Sequence, residues 1–249
     1  MSILPHLAPW QWALGAACAL MVGLSKTGLP GLGILFVPLF AHVLPARVST
    51  GALLPLLLLG DVFAISWYRR HAVWPHLVRL LPWAVAGIVG GFFALGALSD
   101  GLLRPILGGL IIVLLCVTFW RETVRKGAAP VPTAWWFAAS LGLLAGATTM
   151  MANAAGPVMM VFLLAMRLPK DEFLGTAAWF FGIVNAIKVP FSAGLGLITP
   201  SSLSVDLLLS LAVVVGAVIG ILTAKRIPQK AFSVVVQAMA LVSAVLLFV

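Results

Sequence analysis

A glycine-rich segment that occurs twice is the feature that most constrains how this chain folds. The first copy, GLSKTGLPGLGILFVPLF, starts at Gly23, and the second copy, GATTMMANAAGPVMMVFL, starts at Gly146. An offset of 123 residues aligns the two copies without a gap and pairs Gly33 with Gly156. The pattern predicts two copies of one structural unit, each built around a segment in which small and polar residues interrupt an apolar sequence.

Apolar residues fill most of the rest of the chain. Hydrophobic residues make up 63% of the sequence, charged residues make up 8%, and the mean hydropathy is +1.18. This composition indicates a membrane protein that crosses the bilayer several times. The net charge of +9 comes from Lys and Arg in short loops and not from a continuous basic stripe. We therefore predict that it orients the chain in the membrane and does not bind nucleic acid.

Each half of the chain contains five apolar runs. The third to fifth runs come close to the roughly 20 helical residues that a bilayer core requires. The second runs are short, because as helices they would reach only about 21 Å and about 17 Å. We predict that each leading pair is a helical hairpin that turns near the middle of the membrane, and we leave open whether it is re-entrant or spans twice. The runs cover residues 10–25, 30–43, 51–68, 80–98 and 102–120 in the first half, and 134–149, 156–166, 174–192, 205–222 and 232–249 in the second.

Loop charges favour a hairpin that turns back over a single long crossing. If each leading pair turns back, eleven basic residues share one face of the membrane and two lie on the other; a single crossing would split them seven against six. Basic residues concentrate on the cytoplasmic face, so the first arrangement is preferred, with both termini outside. The eleven are Arg69, Arg70, Arg79, Arg121, Arg125, Lys126, Arg167, Lys170, Lys225, Arg226 and Lys230, and the two are Arg47 and Arg104.

This topology predicts an all-α integral membrane protein made of two inverted-topology repeats, each a broken or re-entrant helical hairpin followed by three transmembrane helices. Residues 1–120 form the first repeat, residues 121–133 a cytoplasmic linker, and residues 134–249 the second, inverted repeat. The N-terminus lacks the basic region of a cleavable signal peptide, so we expect the first apolar run to stay in the membrane.

The order of these features resembles the sulfite exporter TauE/SafE family, also called the 4-toluene sulfonate uptake permease family. The resemblance rests on the glycine cluster that leads into VPLF, a short loop, a glycine-led helix, the basic loop YRRHAVW and the GIVGG helix, and it covers both halves. It implies a permease of the bacterial inner membrane for sulfur-containing or organic oxyanions such as sulfite or sulfoacetate. The chain departs from the usual denser glycine run where Lys26 and Thr27 precede GLPGLG, and the second half has NAAGP.

The residues themselves also point to an anion. The second helix of each hairpin would begin inside the membrane, and the free N–H groups and positive dipole of a helix N-terminus attract anions. Asn153 is a candidate N-cap for the second copy. The alternative is that these small residues only allow helices to pack closely. The predicted substrate-binding residues are Lys26, Thr27, Gly28, Gly31, Gly33, Thr148, Thr149, Asn153, Gly156, Asn185 and Lys188.

Three ionisable residues lie in or near the hydrocarbon region. Lys26 sits at the first hairpin turn. Lys188 follows Asn185 by three residues, so Asn185 and Lys188 share a helix face. Charges at this depth mark a transport pathway or an ion pair. Lys188 is also close enough to its helix end to extend outward to the interface. Asp61, which an offset of 124 pairs with Asn185, is predicted either to pair with a lysine or to carry a proton.

We interpret the chain as a secondary transporter that holds a small anion between the two hairpin turns while the halves rock. A passive anion channel is the closer alternative and an integral-membrane enzyme the more distant one, since the sequence has no HExxH, GxSxG or paired intramembrane carboxylates. The expected partners are the anionic substrate and the lipid bilayer, and a homo-oligomer stays open. We predict no cofactor and no metal site.

Overall fold

The computed structural model describes residues 7–44, 46–94 and 134–246, and within these ranges all regular secondary structure is α-helical. Five of the described helices are long and apolar enough to cross a membrane. The predicted all-α membrane class is confirmed; the run at residues 102–120 and the linker at residues 121–133 lie outside the described residues. The helices are α1 Pro9–Thr27, α2 Gly33–Phe40, α3 Ala46–Tyr68, α4 Trp74–Ala94, α5 Trp135–Ala152, α6 Ala155–Ala165, α7 Lys170–Gly194, α8 Pro200–Arg226 and α9 Gln229–Leu246.

The leading pair of each half consists of one long and one short helix. The second members are short as predicted, with 8 residues in α2 and 11 in α6. The first members are longer than predicted: α1 has 19 residues and α5 has 18, so each extends for about 28 Å. α1 continues through the polar residues at its end. The Thr27 hydroxyl donates to the Gly23 carbonyl oxygen one turn earlier, so this side chain finds a hydrogen-bond partner within the helix. The first member alone is therefore nearly long enough to cross the bilayer core.

Close helix pairs join the two halves. α1 packs along α8, and α4 packs along α5. In each pair, a glycine of one helix lies directly against the backbone of the other helix. Gly23 of α1 lies against residues 213–217 of α8, and Gly146 of α5 lies against residues 84–88 of α4. A side chain at either glycine would collide with main-chain atoms. The two pairs therefore depend on the same backbone-to-backbone contact.

The contacts made from the other side of these pairs are equivalent as well. Gly216 of α8 lies against Leu20, and Gly87 of α4 lies against Leu143. The offset between Leu20 and Leu143 is 123 residues, which equals the offset between Gly23 and Gly146. The duplication recognised in the sequence thus corresponds to equivalent packing in the structure. Inversion of the second half across the membrane stays a prediction.

The buried apolar residues form two clusters, which we call the first and second lobes. The first lobe combines α1, α2 and α3 with α8, and the second combines α4 with α5, α6, α7 and α9, together with Tyr68 at the end of α3 and Ala224 near the end of α8. The first lobe therefore contains α8 from the second half of the sequence, and the second lobe contains α4 from the first half. The lobes meet where α3 packs against α7. Rocking of the two halves against each other stays a prediction.

Candidate functional site

A cavity of about 530 Å³ lies between the lobes. The turn before α2 and the start of α6 both line it, so the N-termini of the two short helices face the same space. Neither N-terminus has a side-chain cap, whereas Thr199 caps α8 by accepting a hydrogen bond from the Ser202 N–H at 3.0 Å. The N–H groups of Gly33 and Gly156, which line the cavity, are available to a ligand, whereas the Leu35 N–H donates to the Leu32 carbonyl oxygen at 2.9 Å and Pro157 has no N–H.

Glycines at the two helix starts keep this part of the cavity open. Gly31 has a φ of +104°, in the left-handed region that favours glycine, and it turns the chain from α1 into α2. A Cβ atom at Gly33 would lie 3.7 Å from the Phe36 ring, and one at Gly156 would meet no atom within 4 Å. Backbone at both N-termini can therefore be approached closely from the cavity.

Lys26 brings a positive charge to the cavity wall from the last turn of α1. Its ammonium group lies 2.7 Å from Oδ1 of Asp61 on α3, and its side chain is only 10% exposed. Gly60, the residue before Asp61, allows this approach, because the Lys26 stem packs 3.0 Å from the place where a Cβ atom would lie. The predicted pairing of Asp61 with a lysine is thus present within the first lobe.

Lys188 lies behind the cavity wall in the second lobe and is 1% exposed. Its ammonium group donates to Thr149 Oγ1 at 3.1 Å, to Asn153 Oδ1 at 2.5 Å and, over a longer 3.5 Å, to Asn185 Oδ1. The side chain therefore points into the protein and does not extend outward to the interface. Thr149 and Asn153, which accept these hydrogen bonds, both line the cavity, so they connect the Lys188 ammonium group to the cavity wall.

Three contacts join the lobes at this level. The Asn185 amide donates to Asp61 Oδ2 at 2.7 Å, and the Asn153 amide donates to the Thr50 carbonyl oxygen at 2.9 Å. The Lys26 ammonium also lies 4.3 Å from the centre of the Phe181 ring, in cation–π geometry. Asp61 and Asn185, which the sequence pairs at an offset of 124, thus touch each other at the contact between the lobes.

The predicted substrate-binding residues divide into three groups. Seven line the cavity: Lys26, Gly31, Gly33, Thr149, Asn153, Gly156 and Asn185. Lys188 contacts this group from behind, as does Asp61, the predicted ion-pair or coupling residue. The other three have contacts elsewhere: the Thr27 hydroxyl donates to Ala217 O at 2.8 Å, Gly28 packs on the Gly220 backbone, and the Thr148 hydroxyl donates to Ala145 O at 3.2 Å. A direct role for these three in anion binding does not fit this geometry.

The predicted N-cap role of Asn153 is wrong. Asn153 is the C-cap of α5 in the left-handed conformation, with a φ of 52°, and Ala154 takes the N-cap position of α6. Asparagine tolerates this conformation better than most residues. Because its side chain does not cap α6, its amide oxygen accepts from Lys188 and its amide nitrogen donates to Thr50.

Phe181 is a cavity residue that was missed in the sequence. It lies under the Lys26 ammonium, and it precedes Asn185 by four residues and Lys188 by seven. Residues at this spacing share one helix face, so the position of the two polar residues was the signal that could have identified it. Thr50 offered no such signal, because it contributes a backbone carbonyl group.

Fold and site together define an α-helical membrane protein that crosses the bilayer several times and holds a cavity between two lobes, with Lys26 at the cavity wall. Comparison with known families agrees: the model of the sulfite exporter TauE/SafE family matches residues 15–247. The chain belongs to this family of membrane transporters, and it is a transport protein and not an enzyme. No curated protein and no solved structure has significant similarity to it.

Proposed function

We propose that the protein is a secondary transporter that moves a small sulfur-containing or organic oxyanion, such as sulfite or sulfoacetate, across the bacterial inner membrane. Transport occurs by alternating access and is coupled to an ion. The anion occupies the cavity between the lobes, where it contacts Lys26 and the N-termini of α2 and α6. Family membership supports the class of transported molecule, and the cavity supports its location.

One observation carries this proposal: two uncapped helix N-termini and the ammonium group of Lys26 face the same cavity. N–H groups that are fixed in place and a neighbouring ammonium group form short, charge-assisted hydrogen bonds to an oxyanion. Because the cavity is lined by both lobes, a bound anion would contact both. Motion of one lobe against the other can then open the site to one face of the membrane at a time.

Flux in proteoliposomes tests the proposal against a passive anion channel. Purified protein is reconstituted with equal anion concentrations on both sides, and a proton or sodium gradient is then imposed. We expect the anion to accumulate against its own gradient, which a channel cannot achieve. Sulfite, sulfoacetate, thiosulfate and small carboxylates form the panel of anions. Flux that only dissipates an anion gradient under every imposed ion gradient would favour the channel.

A further inference from the structure

We propose that this site selects its substrate by net charge and binds one net negative charge at a time. A monoanion binds without a proton, and a dianion binds together with one proton, which Asp61 accepts. This inference rests on the proposed function and concerns the same cavity. It assigns Asp61 and Lys188, which lie behind the cavity wall, a role in specificity without direct contact with the anion.

The charges at the site are two lysines and one carboxylate among the described residues. Lys26 and Asp61 form an ion pair, which leaves the charge of Lys188 unbalanced. Three oxygen acceptors surround the Lys188 nitrogen. An ammonium group has three N–H donors and can satisfy all of them, so this arrangement fits the protonated form. With Lys188 protonated, the empty site carries a net charge of plus one.

Burial makes this net charge important. Asp61 and Lys188 are each 1% exposed, so bulk water compensates little of their charge. An unbalanced charge at such a position is strongly unfavourable. A monoanion makes the occupied site neutral. A dianion would leave a net charge of minus one, and addition of one proton restores neutrality.

Asp61 is the group placed to accept that proton. Lys26 lines the cavity and Asp61 lies behind it, so an anion in the cavity competes with Asp61 for the same ammonium group. Once Lys26 turns to the anion, the amide of Asn185 is the close partner that Asp61 keeps among the described residues. Protonation then removes a buried carboxylate charge whose counter-ion is engaged elsewhere.

The elements packed against α3 define which charges face Asp61. Lys26 faces it from α1 and Lys188 from α7. α2 carries no ionisable side chain, and the ionisable residues of α8 are Asp206, Lys225 and Arg226. Of these, Lys225 lies over the Trp67 ring, six residues further along α3. Lys26 and Lys188 are therefore the cations that decide the charge state of Asp61.

The experiment compares two probes of similar size and different charge. Sulfoacetate carries two negative charges near neutral pH, and its methyl ester carries one. Titration calorimetry on the purified full-length protein, in two buffers with different enthalpies of ionisation, counts the protons taken up on binding. We expect no proton for the ester and one for sulfoacetate in the parent protein.

Charge variants then shift the preference in defined directions. Asp61→Asn keeps the side-chain shape and raises the net charge to plus two, so the ratio of the two Kd values should move at least about tenfold toward sulfoacetate. Proton uptake with sulfoacetate should disappear. The double variant Asp61→Asn/Lys188→Met returns the net charge to plus one and should move the Kd ratio back toward the parent value.

Asp206→Asn is the matched control, because Asp206 is also a buried carboxylate but does not line the cavity. It should leave both the proton count and the preference unchanged. Sulfoacetate binding without proton uptake by the parent protein would overturn the inference, even if no variant could be purified. So would an unchanged Kd ratio in Asp61→Asn. If neither probe binds the parent protein and no anion of the transport panel is moved, the proposed function itself fails.

Discussion

Gly23 and Gly146 occupy equivalent places in the two halves of the chain, and each lies against the backbone of a helix from the other half. Three residues further on the halves diverge: Lys26 forms an ion pair, whereas its counterpart Thr149 accepts a hydrogen bond from Lys188. The backbone framework is thus duplicated and the charge is not. The comparison teaches that close helix packing fixes what both halves must share, while side chains on the cavity side are free to specialise.

The most decisive test of the comparison concerns the orientation of the second half in the membrane. Inversion of the second half decides on which face of the membrane each of its loops lies, so the result is all-or-none. Single cysteines in the loop at residues 69–79 and in the linker at residues 121–133 should react only from the cytoplasmic face. Cysteines at both termini should react from the outside. Impermeant maleimides applied to intact cells and to inverted vesicles measure this. A C-terminus on the same face as the linker would contradict the inverted repeat.

The second prediction compares the residues that diverge. Lys26→Met removes the charge at the cavity wall and keeps most of the apolar stem, so anion binding should weaken at least about thirtyfold. Thr149→Val removes one hydroxyl of the equivalent position and should weaken it only about fivefold. Equilibrium binding on purified variants measures both, with yield and elution profile as checks on folding. Equal losses would show that the charge is not what distinguishes the halves.

The third prediction concerns the shared framework. Gly23→Ala and Gly146→Ala both place a methyl group against backbone, and each should lower the free energy of unfolding by about 1–3 kcal/mol. Gly90→Ala is the control, because a Cβ atom there meets nothing within 4 Å. Thermal unfolding in detergent compares the three variants. A loss of stability in only one of Gly23→Ala and Gly146→Ala would mean that the α1–α8 and α4–α5 contacts are not energetically equivalent.

The last prediction concerns the two helix starts that face the cavity. Gly33→Ala and Gly156→Ala add a methyl group where the structure has room, so the unfolding temperature should stay the same or rise slightly. Anion binding should weaken about tenfold in each, equivalent to about 1.4 kcal/mol, because the methyl group hinders approach to the N–H groups. Unchanged binding in both variants would place the anion away from these N-termini.

The framework could be predicted from the sequence because it depends on local, periodic signals. The glycine offset of 123 identified residues that make equivalent backbone contacts, and run lengths identified the two short helices. Lys26, Asp61, Asn185 and Lys188 stood out because charged and amide side chains are costly in a membrane and cluster with their partners. The chemistry that an apolar environment penalises is the part that a single sequence reveals best.

The direction of short side chains could not be predicted in the same way. Thr27 and Thr149 both lie near the end of a first helix, yet one donates to the backbone of α8 and the other faces the cavity. Which occurs depends on the helix that packs alongside, and α8 lies 190 residues away from Thr27 at this contact. The same reason explains the missed C-cap role of Asn153, whose amide is held by residues of two other helices.

The first lobe needs α8 from the second half of the chain, and the second lobe needs α4 from the first half. This has a consequence for how the protein folds during synthesis. When the first half leaves the ribosome, the glycine face of α1 has no partner, because α8 belongs to the second half. α4 likewise waits for α5. Neither half therefore encodes a complete lobe, and a chain cut in the linker should yield fragments that are stable only together.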